Sequence, residues 1–168
     1  KLVHYTKTFD DKVRTFCSNP GGFVSSEYYE NNLAVVNGHS YKDLKSNNTN
    51  FALLVSQKFT EPFNSPIEFG KHVADMANML TKNHILVQRF GDLIRGRRTT
   101  PERLFRNNII PTLKDAIPGD LSLVLPYRIM TDIIEMIQAL DKVSPGLASD
   151  ETLLYGVEVK FYSNKIKV

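Results

Sequence analysis

The segment Cys17-Ser18-Asn19-Pro20-Gly21-Gly22 places a thiol and polar side chains beside a glycine turn, directly after strand-like sequence. Consecutive glycines tolerate positive φ angles and allow another surface to approach the backbone closely. These residue types suit a loop that lies against a flat ligand. A tight β-turn without a ligand is the alternative, and a lone cysteine is more often a small buried apolar side chain than a nucleophile.

Two other polar features allow a similar pair of interpretations. The run Asn37-Gly38-His39-Ser40 is typical of a type I′ hairpin turn, which we favour, although it could also contact a ligand. Glu158 falls on the polar face of an alternating strand. It is either a solvated charge or a carboxylate directed at a site next to Lys160.

Several common sites are excluded by the motifs that the sequence lacks. It has no Gly-x-Gly-x-x-Gly after a strand and no phosphate-binding Walker loop. Its histidines, His4, His39, His72 and His84, have no metal-ligand spacing, and Cys17 has no neighbouring partner. We therefore expect no metal site.

Composition narrows the class of protein further. A net charge of +3 without a strong basic cluster argues against nucleic acid as a partner. No apolar run approaches the roughly 20 residues that span a bilayer, so no membrane partner is expected. A single cysteine excludes an internal disulfide and favours a reducing, cytoplasmic location.

The first third of the sequence and its end predict β-strands. Turn residues separate the early runs, and the uninterrupted apolar run Phe51–Ser56 predicts a central strand that is covered on both faces. Residues 153 to 161 alternate between apolar and polar types, which is the period of a strand. The other predicted strands are Leu2–Thr8, Val13–Cys17, Phe23–Tyr29 and Leu33–Val36.

The middle of the sequence predicts helices. Ser65-Pro66-Ile67-Glu68 is a start signal for a helix that runs to about Asn83. Thr99-Thr100-Pro101-Glu102 starts a second helix that ends near Asn108, and a third runs from about Pro126 to Lys142. The segment Leu86–Ile94 is left as either a short helix or an extended stretch.

This order of elements predicts an α+β fold, with a mixed or antiparallel sheet and about three helices. The strand-rich part covers about residues 1–60 and 150–168, and the helical part about 65–145, within a single domain. Strand-like sequence at both ends predicts chain ends that lie close together, as in a domain inserted into another fold.

Six segments resemble, in the same order, segments of the uncharacterised bacterial FAD-dependent dehydrogenases. They are Phe16–Val24, Val36–Ser40, Asn50–Val55, Gly91–Thr100, Pro118–Leu121 and Leu153–Lys160. The resemblance implies a parent flavoprotein with a two-dinucleotide-type FAD domain, into which this region is inserted as a substrate-binding or cap domain. We expect the chain to re-enter that FAD domain soon after Val168.

The resemblance also implies roles for individual residues. Cys17 and Asn19 become candidate catalytic residues, and Pro20, Gly21 and Gly22 become candidate contacts to the flavin. The family usually has a second cysteine where Asn19 stands, so chemistry with a thiol pair is not expected here. Cys17 would act alone, as a polarisable neighbour of the flavin or as an acid.

The predicted substrate contacts combine hydrogen-bonding and charged groups. A guanidinium binds a carboxylate through two parallel hydrogen bonds, so an arginine suits an anionic substrate, although an exposed arginine without a ligand is the alternative. The candidates are Asn37, Gly38, Arg97, Arg98, Arg128 and Glu158.

The expected partners are the FAD-binding domain of the same chain and a small-molecule substrate. FAD belongs to the full-length parent, and we expect this piece alone to hold none and to be inactive. The alternatives are a module that binds a peptide along an exposed strand edge and an oligomerisation domain.

Overall fold

The computed structural model describes residues 1–159, which form eight β-strands and four α-helices. This α+β content agrees with the sequence prediction. The strands are β1 (Val3–Tyr5), β2 (Lys12–Pro20), β3 (Phe23–Tyr29), β4 (Leu33–His39), β5 (Thr49–Ser56), β6 (Leu86–Arg89), β7 (Ile117–Pro118) and β8 (Leu153–Gly156). The helices are α1 (Pro66–Thr81), α2 (Phe90–Ile94), α3 (Pro101–Phe105) and α4 (Tyr127–Asp141).

Strands β1, β2 and β5 form an antiparallel sheet in that order. A turn closes by a hydrogen bond from Thr6 N to Asp11 O at 2.9 Å, so β1 is shorter than the predicted Leu2–Thr8. The prediction of Phe51–Ser56 as a central strand is wrong, because among the described residues β5 pairs with β2 alone. Its apolar residues are instead half-buried along an edge of the sheet.

Strand β2 continues past its predicted end at Cys17. The register with β5 shifts between Phe16 and Asn19, which is the signature of a β-bulge. Cys17 takes a left-handed conformation with φ 48° at this bulge. The bulge allows Asn19 and Pro20 to pair with β5 again, opposite Asn50 and Thr49.

Strands β3 and β4 form a hairpin whose turn lies at Glu30–Asn32. Asn31 and Asn32 adopt φ 62° and 59°, which asparagine tolerates better than most residues. The prediction of a hairpin turn at Asn37-Gly38 is therefore wrong. Both residues lie inside β4, where Gly38 pairs with Val24 of β3.

The third sheet has the order β7-β6-β8, with β6 parallel to β7 and antiparallel to β8. Strands β6 and β7 lie within the region predicted to be helical. Leu86–Ile94 divides into strand β6 and the short helix α2. The extended and the helical alternatives for that segment are therefore each correct for part of it. Of the segment 153 to 161, β8 takes Leu153–Gly156, and residues 160 and 161 lie outside the described residues.

The helices begin where the sequence indicates. Pro66 opens α1 after Ser65, although Ser65 makes no capping hydrogen bond, and Thr100 caps α3 by accepting from Arg103 N at 3.3 Å. Helix α4 matches its predicted bounds within a residue, whereas α3 ends earlier than predicted. The predicted proximity of the chain ends lies outside the described residues, because it involves residues 160–168.

The largest core cluster forms where β4, α1 and α4 meet. Its fully or nearly fully buried members include Val35 on β4, Ala74 and Ala77 on α1, and Ile137 on α4. The Asn78 side chain anchors α1 to β4, because it accepts from Ala34 N and donates to Ala34 O, both at 2.8 Å. This core holds α1, α4 and β4 together.

Candidate functional site

A cavity of about 830 Å³ lies between β5 and the chain around β8. Its lining includes every residue from 48 to 57 and every residue from 152 to 159. Side chains alternate across a strand, so a cavity against one face would contact alternate residues. Contact with consecutive residues shows that this cavity runs along the edges of the two strands.

Most of the cavity lining is apolar. Ile129, Ile133 and Ile137 recur every four residues on α4, so they form one stripe of the helix along the cavity. Phe69 and Val73 of α1 line it as well. The helices therefore supply a hydrocarbon wall opposite the strand edge.

Polar residues gather at the end of the cavity where β5 begins. Cys17, Asn37, Gly38, Asn48 and Asn50 all line this end. Gly38 is required here, because a Cβ at this position would overlap the side-chain amides of Asn19 and Asn50. The structure thus brings Cys17, Asn37 and Gly38 together at this end of the cavity.

Asn19 holds this polar end together from beneath rather than lining it. The side chain is 8% exposed, and its Nδ2 donates to Cys17 O at 2.8 Å and to Asn50 Oδ1 at 3.0 Å. Its Oδ1 accepts from Ser40 Oγ at 3.1 Å. Asn19 therefore connects the β2 bulge to the start of β5 and the end of β4.

Cys17 is exposed and lines the cavity from the bulge of β2. Its positive φ turns this residue out of the regular alternation of the strand. The Asn19 Nδ2 atom lies 3.9 Å from Cys17 Sγ, which is a weak contact. The thiol is therefore accessible to a molecule in the cavity.

The turn that contains Pro20, Gly21 and Gly22 packs against this chain's own residues and does not line the cavity. Gly21 has φ 63°, and its carbonyl accepts from Ser46 N at 2.9 Å. A Cβ on Gly22 would lie 2.8 Å from His39 O. Gly21 therefore supplies the positive φ angle of the turn, and Gly22 allows the close packing against His39.

Two of the three predicted arginine clamps hold aspartates of this chain. Arg97 Nε donates to Asp92 Oδ1 at 2.8 Å, and the Arg128 guanidinium makes a two-pronged bond to Asp11. Arg98 is exposed, and its carbonyl accepts from Arg103 at 3.0 Å. None of the three arginines lines the cavity.

Glu158 lines the cavity two residues beyond the end of β8. The preceding residue, Val157, accepts a hydrogen bond from Val36 N at 3.0 Å. Glu158 and Asn37 thus flank the same hydrogen bond, which places both near the polar end of the cavity. Lys160, the predicted neighbour of Glu158, lies outside the described residues.

Sequence reasoning missed a pair of carboxyl groups, Asp11 and Asp132, where the turn before β2 meets α4. Asp132 is fully buried beside Thr6 and Asp11, and burial raises the pKa of its carboxyl. The hydrogen bonds from Arg128 lower the pKa of Asp11 to about 2. A signal existed, since Asp132 lies three residues after Ile129 and four before Met136, within the apolar stripe of α4.

No group of three His, Cys, Asp or Glu side chains among residues 1–159 lies close enough to bind a metal ion. Within that same range, every helix is too short or too polar to cross a bilayer.

A comparison with protein families identifies the class of protein. The family model described as "FAD-dependent protein, C-terminal domain-like" matches residues 1–161. A search of curated proteins gives no match. Because the family match covers nearly all of the sequence, the chain belongs to this family of FAD-dependent protein C-terminal domains.

Proposed function

We propose that this domain is the substrate-binding or cap domain of a FAD-dependent oxidoreductase of the dehydrogenase type. The cavity between β5 and β8 would hold a small-molecule substrate beside a flavin carried by the FAD-binding part of the same protein. The observation that carries the proposal is the polar end of the cavity. At that end, Cys17, Asn37 and Gly38 lie together beside an otherwise apolar slot, in a chain that belongs to the FAD-dependent family.

The residues of this chain do not fit FAD itself. A dinucleotide site needs a glycine-rich turn whose free N–H groups face the pyrophosphate at a helix N-terminus. The Pro20-Gly21-Gly22 turn leads into strand β3 instead, and its Gly21 and Gly22 carbonyls accept from Ser46. The proposal therefore assigns the dinucleotide to the FAD-binding domain and only substrate contacts to this one.

The chain's own groups have three tasks in the proposed reaction. The stripe on α4 excludes water from the substrate, which strengthens the polar interactions inside the slot. Asn37 and Gly38 orient the polar end of the substrate, and Cys17 presents its thiol there as a hydrogen-bonding or acidic neighbour. A bound flavin supplies the hydride chemistry. Asn19 acts through the bulge that it braces, so it is a positioning residue.

The most direct test measures flavin reduction in the intact flavoprotein after Cys17→Ala, with Ser18→Ala as the matched control. Ser18 is exposed on the same bulge and does not line the cavity. We expect Cys17→Ala to slow flavin reduction by about tenfold or more, because a positioned acid contributes at least that much. Ser18→Ala should leave the rate unchanged.

A second pair of variants tests the cavity itself. Ile129→Trp fills the slot from α4, while Gln138→Trp adds the same side chain on an exposed position of that helix. The first should raise the KM for the substrate strongly, and the second should not. Normal flavin reduction in both Cys17→Ala and Ile129→Trp would contradict the proposal.

One observation favours a second candidate function, the docking of an extended peptide or of another copy of the chain. Among the described residues, β5 has a neighbour on one side only. An open strand edge can add a further strand through backbone hydrogen bonds. Such a role predicts that a proline in β5 abolishes complex formation, whereas the substrate role predicts saturable binding of a small molecule.

A further inference from the structure

The lining of the cavity also carries information about the chemistry of its ligand, and this inference rests on the proposed function. Among residues 1–159, Arg14 and Glu158 are the only charged residues that line it. The Arg14 guanidinium lies 5.1 Å from the centre of the Phe16 ring, where a cation–π contact already holds it. The described part of the chain therefore directs no cluster of cations into the slot.

The shape of the cavity is the second observation. It contacts all eight residues of β5, a strand that spans roughly 25 Å at the usual rise per residue. A volume of about 830 Å³ along that length leaves a narrow slot. Such a slot accommodates a slender, elongated molecule better than a bulky one.

Polar side chains line both ends of this length, but at the Ser56 end the amide of Gln57 already donates to Asp11 at 3.1 Å. Asn37 and Asn50 supply hydrogen-bonding amides at one end, and Ile129 and Ile133 line the slot as hydrocarbon. A charged group moved into an apolar slot loses its hydration without a partner, which costs several kcal/mol. An uncharged oxygen at the amide end keeps its hydrogen bonds at a much smaller cost.

We infer that the cavity selects an uncharged, elongated apolar substrate with one hydrogen-bonding oxygen end, such as an alcohol or a carbonyl compound, and rejects anionic substrates. The inference replaces the expected arginine clamp, because Arg97 and Arg128 already hold aspartates elsewhere. It fits dehydrogenase chemistry, in which an alcohol and a carbonyl compound are the reduced and oxidised forms of one substrate.

The test uses two fluorescent probes that differ by a single charged group, N-phenylnaphthylamine and its sulfonated form, anilinonaphthalene sulfonate. Each is titrated into the protein, and bound probe is then displaced with a long-chain alcohol or with the carboxylate of equal length. We expect the neutral probe to bind at least about tenfold more tightly than the sulfonate. The alcohol should displace it at concentrations at least about tenfold lower than the carboxylate.

Variants decide whether the probe reports on this cavity. Ile129→Trp should weaken binding of the neutral probe about tenfold or more, and Gln138→Trp should leave it unchanged. Sulfonate and carboxylate ligands that bind as well as the neutral ones, with the same sensitivity to Ile129→Trp, would overturn the substrate class and leave the substrate cavity standing. Probe binding that ignores Ile129→Trp would overturn both.

Discussion

Two aspartates of this domain are equally buried and have opposite acidities. Asp92, on α2, and Asp132, on α4, both have 0% exposed surface. Burial raises the pKa of each carboxyl, but hydrogen bonds from Arg97 and Thr99 lower the pKa of Asp92 below its ordinary value. Asp132 faces a second carboxyl, Asp11, and its pKa is raised. Partners, and not depth, decide the direction in which each pKa is shifted.

The contrast explains what the arginines do. Arg97 forms an ion pair with Asp92, and this pair stabilises the charged form of the buried carboxylate. Arg128 serves Asp11 directly and Asp132 only at longer range. One guanidinium cannot compensate two adjacent carboxylates, so the pKa of Asp132 stays raised.

The largest effect is expected from Asp92→Asn, which removes the charge but keeps the shape. Arg97 and Arg89 then lose their carboxylate partner, and we expect a loss of about 2–3 kcal/mol of unfolding free energy. This is below the ~3–5 kcal/mol typical of fully buried pairs, because Arg97 is half-exposed. Thermal unfolding should show a melting temperature lower by roughly 5–10 °C.

Asp150→Asn is the matched control for this variant, since it removes one acid from the exposed pair that Asp150 forms with Arg95. Exposed pairs contribute little to stability, so its unfolding should be unchanged within error. Equal effects of the two substitutions would show that the Asp92 cluster is not a special anchor.

Asp132→Asn should act in the opposite direction and stabilise the domain at neutral pH by about 1–2 kcal/mol. The amide needs no proton from solvent and can donate to Asp11, which the ionised carboxyl of Asp132 cannot do. Denaturant unfolding at pH 7 measures the change. A clear loss of stability would mean that the carboxyl of Asp132 has a compensating partner.

The pH dependence sharpens the same contrast. The pKa of Asp132 is raised in the folded state, so the stability that its protonated form contributes is complete below pH ~4 and is lost as the pH rises through the folded pKa. The advantage of Asp132→Asn should therefore disappear on acidification below about pH 4. The lowered pKa of Asp92 has the reverse sign, so its contribution is present above pH ~4 and is lost below it.

That difference gives a second check on the first variant. The loss caused by Asp92→Asn should shrink as the pH falls through the folded pKa of Asp92, since its carboxyl then becomes neutral in the parent protein as well. Unfolding of the two variants and the parent between pH 2 and 8 measures both trends. If the unfolding free energies of all three proteins changed with pH in parallel, the opposite pKa shifts of these two aspartates would be contradicted.

The smallest effect is expected from Arg128→Lys. The lysine keeps the charge beside Asp11 but loses the two-pronged geometry, so the melting temperature should fall by only a degree or two. Arg95→Lys, at the exposed pair with Asp150, is the control and should lower the melting temperature by less. A loss as large as that of Asp92→Asn would place the main anchor of the domain at Asp11.

The sequence is a good guide to local elements here because each depends on neighbours along the chain. Pro66 and Thr100 mark helix starts, and the stripe of α4 is visible as a period. The asparagine-glycine signal at Asn37-Gly38 misleads, because Gly38 is needed for close packing against Asn19 and Asn50 rather than for a turn.

The cavity could not be predicted from the spacing of residues in the sequence. The family resemblance makes Cys17 and Asn37 site candidates, but the position of β5 at an edge among the described strands depends on pairings across the fold. Arg128 illustrates the limit, because its partner Asp11 lies 117 residues away in sequence. From the sequence alone, a charge with so distant a partner cannot be told from an exposed one that is free to bind a substrate.

Within residues 1–159, one side of β5 has no strand beside it, and that side governs how the domain behaves when nothing covers it. Natural strands of this kind are usually blunted by lysines or prolines, yet residues 51 to 55 read Phe-Ala-Leu-Leu-Val without either. The sequence there is of the kind that nucleates cross-β assembly when it is uncovered. Preparations of the chain should therefore cluster at high concentration, and a ligand seated along this strand should act as a solubilising agent.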